Sequence, residues 1–288
     1  MEQIFTTTII TITTTKKQIS MSNKTKTGFL PAIITTGLAI TVIGVLLSFS
    51  AQTPKQIAEK ATNTIHFDAM EMSMTLKIID RNGNTRTRKL KNTTKKFGNT
   101  IKTKIRFTSP ADVAGTTILI YDHDDKDNDM WIYMPSLRNT RRIVSSDKGK
   151  SFMGSEFSNA DMSKPNLDDY SYKLLGTEVI SGKRCWKIES EFSSRANERD
   201  HGYKKRISYI EQQTHLTYKT DYYGSDDKLF KTMSLSDYKK QPNGKYFAYT
   251  LKVENLKNSR KSEMTVDQFK PSSTVSERYF DVNNIQAE

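Results

Sequence analysis

The sequence predicts a mainly β protein whose antiparallel sheet curls on itself. After one short helical segment, apolar and polar residues alternate with a period of two over many short runs, which is typical of half-buried strands. Turn signals such as Asn82-Gly83, Ser181-Gly182 and Asn243-Gly244 separate these runs. No helical pattern lies between successive runs, so we expect antiparallel pairing and not a parallel sheet with crossover helices.

The composition is that of a polar but foldable chain. Its 288 residues are 35% hydrophobic and 27% charged, with 45 Lys and Arg against 32 Asp and Glu. The single cysteine excludes a disulfide-stapled scaffold, and the charge content excludes a polytopic membrane protein. Cys185 has no partner in the chain, and we expect it to be a small buried apolar residue.

The N-terminal part has the layout of an export signal. An uncharged, largely apolar stretch from Thr27 to Pro54 follows a lysine-containing segment that has no acid after Glu2. Small residues at Ser48 and Ser50 predict cleavage before Ala51. We therefore expect an export signal over residues 1–50 and one domain over residues 51–288.

Two alternatives remain open for this signal. Met21 is a candidate start, because residues 21–50 alone form a signal of ordinary length. The uncharged run is also long enough to span about 30 Å of hydrocarbon, so an uncleaved inner-membrane anchor is the alternative to cleavage.

The mature chain begins with a helix and a long hairpin. Thr53-Pro54-Lys55-Gln56 forms a capping box with a proline at the first helical position, which predicts a helix ending at Asn63 and Thr64. The alternation from Met70 to Ile78 predicts a strand with one apolar face. Asn82-Gly83 predicts a tight turn with two positive φ angles. The polar return strand, residues 85–94, is expected at a solvated rim or an edge.

Further strands follow to the end of the chain, with Ser193 to His201 expected as a loop. The predicted strands cover residues 101–107, 116–121, 129–135, 137–144, 170–180, 183–192, 204–212, 215–223, 228–240, 245–255 and 261–269.

The residues do not favour an enzyme, a metal site or a cofactor site. His66, His123, His201 and His215 are scattered, and no glycine-rich phosphate loop or nucleophile elbow is present. The acidic run at residues 122–129 lacks the glycine that a calcium loop needs. The positive net charge does not come with a nucleic-acid recognition motif, so we expect no nucleic-acid partner and favour attraction to anionic lipid headgroups.

Four segments carry a resemblance to a known family. They are Phe107 to Thr116, Trp131 to Pro135, Arg141-Arg142-Ile143, and Ser151 to Phe157, in this order. Together they resemble the outer-membrane lipoprotein-sorting proteins of the LolA-like group, over most of residues 53–285. The chain departs from the family pattern at Glu156, where an Asp is expected.

The resemblance implies a deeply curved antiparallel sheet that forms an unclosed barrel, with a few helices covering its concave side. It also implies a non-catalytic periplasmic carrier that binds the acyl chains of lipoproteins or another lipid and delivers them between envelope membranes. An inner-membrane transporter and an outer-membrane acceptor are then the expected partners. The alternative is an envelope sensor, or an accessory subunit of an inner-membrane exporter, that uses the same cavity.

An apolar cavity of this kind is expected to be lined by methionine and aromatic residues. For the methionine stripe, ordinary core packing is the competing interpretation, and at most one of the two arginines points inward if their segment is a strand. We also expect residues 145–156 to be a lid with hinges at Gly149 and Gly154. The candidate ligand-binding residues are Met72, Met74, Leu76, Trp131, Tyr133, Pro135, Arg141, Arg142, Phe152, Met153 and Phe157.

Overall fold

The computed structural model of the chain describes residues 52–124 and 126–287. The predicted export signal and its cleavage site before Ala51 lie outside these residues. In the described part, no helix combines the length and the apolar character that crossing a membrane requires.

Two helices and thirteen strands make up the described regular structure, with several short 3₁₀ turns between them. In chain order they are α1 (Pro54–Thr64), β1 (Ala69–Ile79), β2 (Thr85–Phe97), β3 (Thr100–Ser109), β4 (Thr117–His123), β5 (Asp129–Met134), β6 (Asn139–Arg142), β7 (Tyr170–Ile180), β8 (Lys183–Phe192), α2 (Arg195–His201), β9 (Lys205–Glu211), β10 (Thr217–Tyr223), β11 (Leu229–Lys240), β12 (Tyr246–Asn255) and β13 (Arg260–Lys270).

All thirteen strands belong to one antiparallel sheet that is not closed into a barrel. The strand order is β6-β5-β4-β3-β2-β1-β13-β12-β11-β10-β9-β8-β7. Strands β6 and β7 are therefore the two edges, although they follow each other in the chain. Residues 143–169, here called the crossing segment, connect one edge to the other and lie against one face of the sheet. The mainly β, unclosed architecture predicted from the sequence is confirmed.

The sheet curves around the crossing segment. Ile132 of β5 and Tyr170 of β7, which lie near opposite edges, belong to one buried cluster together with Leu76 of β1 and Met233 of β11. A flat sheet of this size would be about 60 Å wide at the usual strand spacing, too wide for such a cluster. We call the face that forms this cluster the inner face. Phe152 and Phe157 of the crossing segment are buried within the same cluster.

Helix α1 also covers the inner face. Its capping box is present as predicted, with Gln56 N–H donating to the Thr53 hydroxyl and the Gln56 side chain accepting from the Thr53 N–H. Ile57 and Ala61 pack against Ile188 of β8 and Ile210 of β9. The covering helix predicted from the resemblance is therefore confirmed.

The C-terminal segment covers part of the outer face. Phe280 and Ile285 pack on Leu119 of β4 and bury it completely. The ammonium of Lys104 on β3 donates to the carbonyls of Tyr279 at 3.3 Å and Ala287 at 2.6 Å. Both faces of β3, β4 and β5 are thus packed, which explains the nearly continuous apolar character of β4.

Three local predictions need correction. Strand β2 is not an edge, because it pairs with β1 and β3, but residues 85–89 are mostly exposed, in agreement with the alternative of a solvated rim. Its inward polar groups have partners inside the protein: Arg88 donates to the Met153 carbonyl, and Thr94 shares a hydrogen bond with Thr103. The first hairpin has one positive φ angle, at Gly83, and Asp80 accepts from the loop N–H groups of residues 82 and 84. The predicted loop at residues 193–201 contains α2, capped by the Ser194 side chain.

Candidate functional site

An apolar cavity of about 260 Å³ lies between the inner face and the crossing segment. The flexible, unbranched side chains of five methionines contribute to its wall, with contributions from β1, β2, β3, β12, β13 and the crossing segment. The apolar residues that line it are Ile65, Met70, Met72, Met74, Leu90, Ile101, Ile105, Phe152, Met162, Phe247, Leu251 and Met264.

The alternation of β1 places its methionines on one side of the sheet. Met70, Met72 and Met74 are spaced by two residues, so all three point to the inner face. Across the ladder, Leu76 pairs with Met264 of β13, which also lines the cavity. Because methionine adopts many rotamers at low cost, a wall built from it adapts to ligands of different shapes.

Four ionisable side chains interrupt the apolar wall, namely His66, Asp122, Asp161 and Lys164. His66 is neutral near pH 7, because burial, and then the charges of Lys164 and Lys245, lower its pKa to about 4. Its buried Nε2 has no hydrogen-bond partner among the described residues. Asp122 is buried, and burial raises its pKa to about 7 despite hydrogen bonds from the Asn128 amide and the Lys164 backbone N–H.

The raised pKa of Asp122 predicts a pH-dependent stability. Between about pH 4 and pH 7 the folded protein holds a proton on Asp122 that the unfolded chain has lost, so the free energy of unfolding decreases as the pH rises through this window. Asp122→Asn removes the ionisation and keeps an oxygen acceptor. We expect this variant to match the wild type at pH 4 and to exceed its stability by about 2–4 kcal/mol at pH 8.

Urea unfolding at both pH values measures this difference. Asp127→Asn is the matched control, because Asp127 is exposed and its neutralisation should leave the stability unchanged at either pH. Equal stabilities of wild type and Asp122→Asn at pH 8 would show that the Asp122 carboxylate ionises without cost.

A second, polar cavity of about 490 Å³ adjoins the apolar one. Asp161, Ser163, Lys164 and Pro165 of the crossing segment line both cavities and form the wall between them. The far side of the polar cavity includes Tyr170, His201, Tyr203 and Arg206.

Arg206 of β9 is the basic group on the inner face at this end of the sheet. It pairs across the ladder with Tyr222 of β10, whose side chain belongs to the inner cluster. Its guanidinium carbon lies 4.9 Å from the centre of the Tyr170 ring, and the Tyr170 and Tyr203 hydroxyls share a hydrogen bond of 2.9 Å. The guanidinium interacts with the Tyr222 hydroxyl, and its buried Nε has no acceptor among the described residues.

Of the candidate residues, Met72, Met74 and Phe152 line the apolar cavity. Leu76 is fully buried on the same face of β1 but belongs to the packed cluster and not to the cavity wall. Their roles in ligand binding stay predictions, and the structure gives the position of each side chain.

The aromatic side chains of the predicted lid are packed into the inner cluster, which corrects the lid prediction, whereas residues 144–146 and 150–151 of the crossing segment are exposed. Phe152 and Phe157 are completely buried, and Phe152 contacts Phe107 with ring centres 5.9 Å apart. Met153 is partly buried at the edge of the cluster, with its carbonyl accepting from Arg88. Gly149 is not a free hinge, since a Cβ there would lie 2.6 Å from the His201 backbone carbon.

Trp131, Tyr133 and Pro135 lie away from the cavity. Trp131 and Tyr133 point to the outer face, where they pack with Leu119 and Phe280 beneath the C-terminal segment. Pro135 follows β5 in a 3₁₀ turn and contacts the backbone near Gly115. The inward neighbours in β5 are Met130 and Ile132, so these three residues are corrected to structural positions.

Arg141 and Arg142 both lie at the exposed edge strand β6. Their side chains are 54% and 62% exposed, Arg141 faces Asp147 at 3.7 Å, and Arg142 contacts Asp129. Neither lines the apolar cavity, which agrees with the expectation that at most one of them points inward but does not place either of them with the other candidate ligand-binding residues.

The sequence did not reveal several residues that line the two cavities. Met162 and Leu251 come from segments without a distinctive motif. Arg206 ends the basic run Lys204-Lys205-Arg206, which is typical of a solvated surface. The available signal was the alternation of β9. Ile207 and Tyr209 are buried on the outer face, so Arg206, one position before Ile207, points to the inner face.

The comparisons with known proteins agree with this architecture. A family model described as that of an uncharacterized protein matches residues 99–287, and the chain belongs to this family. No curated protein matches the sequence.

Three solved structures share the fold. An outer-membrane lipoprotein-sorting protein domain from Vibrio parahaemolyticus has a TM-score of 0.74 at 23% identity, covering 81% of this chain and 97% of that one. A DUF1329 family protein from Desulfovibrio piger has a TM-score of 0.74 at 26% identity, with the same coverage. A LolA superfamily protein from Nitrosomonas europaea has a TM-score of 0.64 at 22% identity, covering 80% and 98%. The LolA-like resemblance found in the sequence is therefore confirmed for the fold.

Proposed function

We propose that this protein is a non-catalytic carrier that binds the acyl chain of a lipid or lipoprotein in the apolar cavity. The observation that carries the proposal is the methionine-lined space enclosed between the inner face and the crossing segment. The names of two structural neighbours, a lipoprotein-sorting domain and a LolA superfamily protein, support the same class of cargo.

The free energy gained by burying an acyl chain is of the size that reversible binding requires. Each buried methylene contributes about 0.8 kcal/mol, so a segment of eight methylenes gains about 6 kcal/mol before the cost of association. The cavity volume of about 260 Å³ is slightly below the range typical of sites for drug-sized ligands. As shaped, it holds part of one chain, and a larger cargo requires the methionine side chains to rearrange.

The cellular role follows from the predicted export signal and the cargo. We infer that residues 1–50 direct export, that cleavage occurs before Ala51, and that the domain from residue 51 works in the periplasm. There it would receive its cargo from an inner-membrane transporter and deliver it to an outer-membrane acceptor. No covalent step is required, because a membrane or a partner that offers the acyl chain an equally apolar environment allows the chain to leave the cavity.

Blocking the cavity tests the proposal. Leu251 is half-buried at the cavity wall, and Leu251→Trp should fill part of the space. We expect this variant to retain at least fivefold less radiolabelled dioleoyl phosphatidylcholine than the wild type after separation from donor vesicles, because the chain loses buried contacts. The exported protein is equilibrated with vesicles, isolated by gel filtration and counted for bound lipid.

Leu256→Trp is the matched control, because Leu256 lies in the exposed β12–β13 turn and makes no contact with the cavity. Its retention of lipid should equal that of the wild type. Wild-type protein that retains no lipid would overturn the carrier proposal. Retention without delivery to acceptor vesicles would instead favour a sensor or an exporter subunit.

A further inference from the structure

The polar cavity contains an unusual arrangement of positive charge. Arg206 is partly buried on the inner face, and Lys148 of the crossing segment is half-buried at the same cavity. The buried Nε of Arg206 has no acceptor among the described residues, and Lys148 interacts electrostatically with Asp169. Because an arginine with an unfilled donor is costly to bury, an anion from outside the chain is the partner that this geometry lacks.

The acidic residues around this cavity are mostly neutralised by other bases. Asp168 pairs with Lys55 at 2.6 Å, Asp161 with Lys231 at 3.2 Å, and Asp124 with Lys164 at 3.4 Å. Glu59 lies 3.9 Å from Lys55, and Asp127 is exposed. Asp169 lines the same cavity, where burial raises its pKa and the charge of Lys148 acts in the opposite direction. Asp169 is thus the carboxylate nearest in effect to Lys148, whereas the guanidinium of Arg206 keeps a buried Nε without an acceptor among the described residues.

His201 lines the same cavity as the two cations. Its pKa is lowered to about 4, first by burial and then by the charges of Lys148 and Arg206. The two cations therefore lie within electrostatic reach of the same ring. Tyr170 and Tyr203 line the same cavity, and because their hydroxyls hydrogen-bond to each other, one hydroxyl proton of the pair remains available to donate.

The position of this charge relative to the apolar cavity suggests its use. The two cavities share the wall formed by Asp161 and residues 163–165. An amphiphile with its chain in the apolar cavity would place its polar end at or beyond this wall. Methionines line one cavity, and Arg206 and Lys148 line the next, an arrangement that matches the two parts of an anionic lipid.

We propose that Arg206 and Lys148 bind a phosphate-type anion in the polar cavity and thereby select cargo lipids with an anionic headgroup. This inference rests on the proposed carrier function, which supplies the acyl chain. The planar Arg206 fork donates to two phosphate oxygens, and Lys148 adds a point charge from the crossing segment. The protein then discriminates between lipids by headgroup while the apolar cavity accepts the chain without selecting it.

The test compares retention of two lipids by the exported protein. The wild type, Arg206→Gln and Lys148→Gln are equilibrated with vesicles of dioleoyl phosphatidylglycerol and phosphatidylcholine in equal amounts, and the lipid retained after gel filtration is identified by mass spectrometry. A salt concentration of about 0.3 M screens attraction to surface lysines. We expect the wild type to retain at least fivefold more phosphatidylglycerol, and both variants to retain the two lipids about equally while keeping the wild-type amount of phosphatidylcholine.

Arg86→Gln is the matched control, because it removes the same charge from an exposed position on β2. It should keep the wild-type preference. An unchanged preference in both Arg206→Gln and Lys148→Gln would overturn the proposal, as would an equal loss of preference in Arg86→Gln. Lys148→Gln keeps the test decisive if Arg206→Gln does not fold, since Lys148 is not part of the packed cluster.

A second arm identifies the source of the anion. Inorganic phosphate is titrated into the wild type and the variants without lipid, and the midpoint of thermal unfolding is followed. If phosphate raises the unfolding temperature of the wild type but not of Arg206→Gln, the site accepts free phosphate. If the protein prefers phosphatidylglycerol but phosphate does not raise its unfolding temperature, the anion binds only as part of a lipid. Both results support the anion site. If the wild type retains neither lipid but phosphate raises its unfolding temperature through Arg206, the carrier function is contradicted and the anion site is not. If the wild type shows neither a preference for phosphatidylglycerol nor stabilisation by phosphate, the anion site is overturned.

Discussion

Replacing Phe152 with alanine should reduce the free energy of unfolding by about 3–5 kcal/mol. The ring is completely buried, contacts Phe107, and contributes to the cavity wall, so its removal leaves a large void at the centre of the inner face. Urea denaturation followed by tryptophan fluorescence measures the change. Because the crossing segment joins the two edge strands, we expect the loss in one cooperative transition.

Leu137→Ala is the control for this experiment. Leu137 is 63% exposed just beyond β5, and its truncation should change the stability by less than about 0.5 kcal/mol. A similarly small effect of Phe152→Ala would show that the crossing segment is not firmly packed on the sheet in solution, which would support a lid.

Replacing Lys231 with methionine should destabilise the protein by about 3–5 kcal/mol at pH 7. The Lys231 ammonium lies 3.2 Å from the Asp161 carboxylate, and both side chains are almost inaccessible to solvent. Burial alone would raise the pKa of Asp161, but Lys231 and hydrogen bonds from Ser158 outweigh burial and lower the pKa below its usual value. Without Lys231, the Asp161 charge remains buried and poorly compensated.

This prediction has a specific pH dependence. Once Lys231 is gone, the pKa of Asp161 in the folded state rises above its unfolded value. The destabilisation is therefore full at neutral pH and decreases as the pH falls through the raised pKa. The double variant Lys231→Met with Asp161→Asn should recover part of the loss at pH 7.

Lys239→Met provides the matched comparison. Lys239 and Asp237 are 3.9 Å apart, but both side chains are more than half exposed, so this pair contributes less than about 1 kcal/mol. Urea unfolding of the three variants at pH 5 and pH 7 separates the buried pair from the exposed one. An equal, small effect at both sites would show that Asp161 is solvated in solution.

The strands could be predicted because alternation and turns act locally. Apolar side chains at every second position have one way to bury themselves on a sheet, and β1, β7, β8, β11, β12 and β13 lie within about one residue of the predicted ranges. Strand β2 was misplaced because its inward Arg88 and Thr94 are polar. Their partners lie on the crossing segment and on β3, which no local pattern of β2 reveals.

The candidate site could be predicted only in part, because the direction of a strand face depends on what covers it. Met72 and Met74 alternate with polar residues, so their face is defined by the sequence. In β5 both faces are apolar, with Met130 and Ile132 packed inside and Trp131 beneath the C-terminal segment. Arg206 was missed because it ends a run of three basic residues, and such a run predicts exposure to solvent and not a position on the inner face.

The order of the strands also affects when the sheet can be completed. Strands β1 to β6 form one half and β7 to β13 the other, and within the sheet they are joined along β1 and β13. The first strand to be synthesised, β1, therefore has only one hydrogen-bonded edge until the last strand, β13, has been made. Such distant pairing slows folding and leaves apolar strand edges open to wrong partners in the meantime. Until β13 arrives, both half-sheets depend on other means of protection from aggregation.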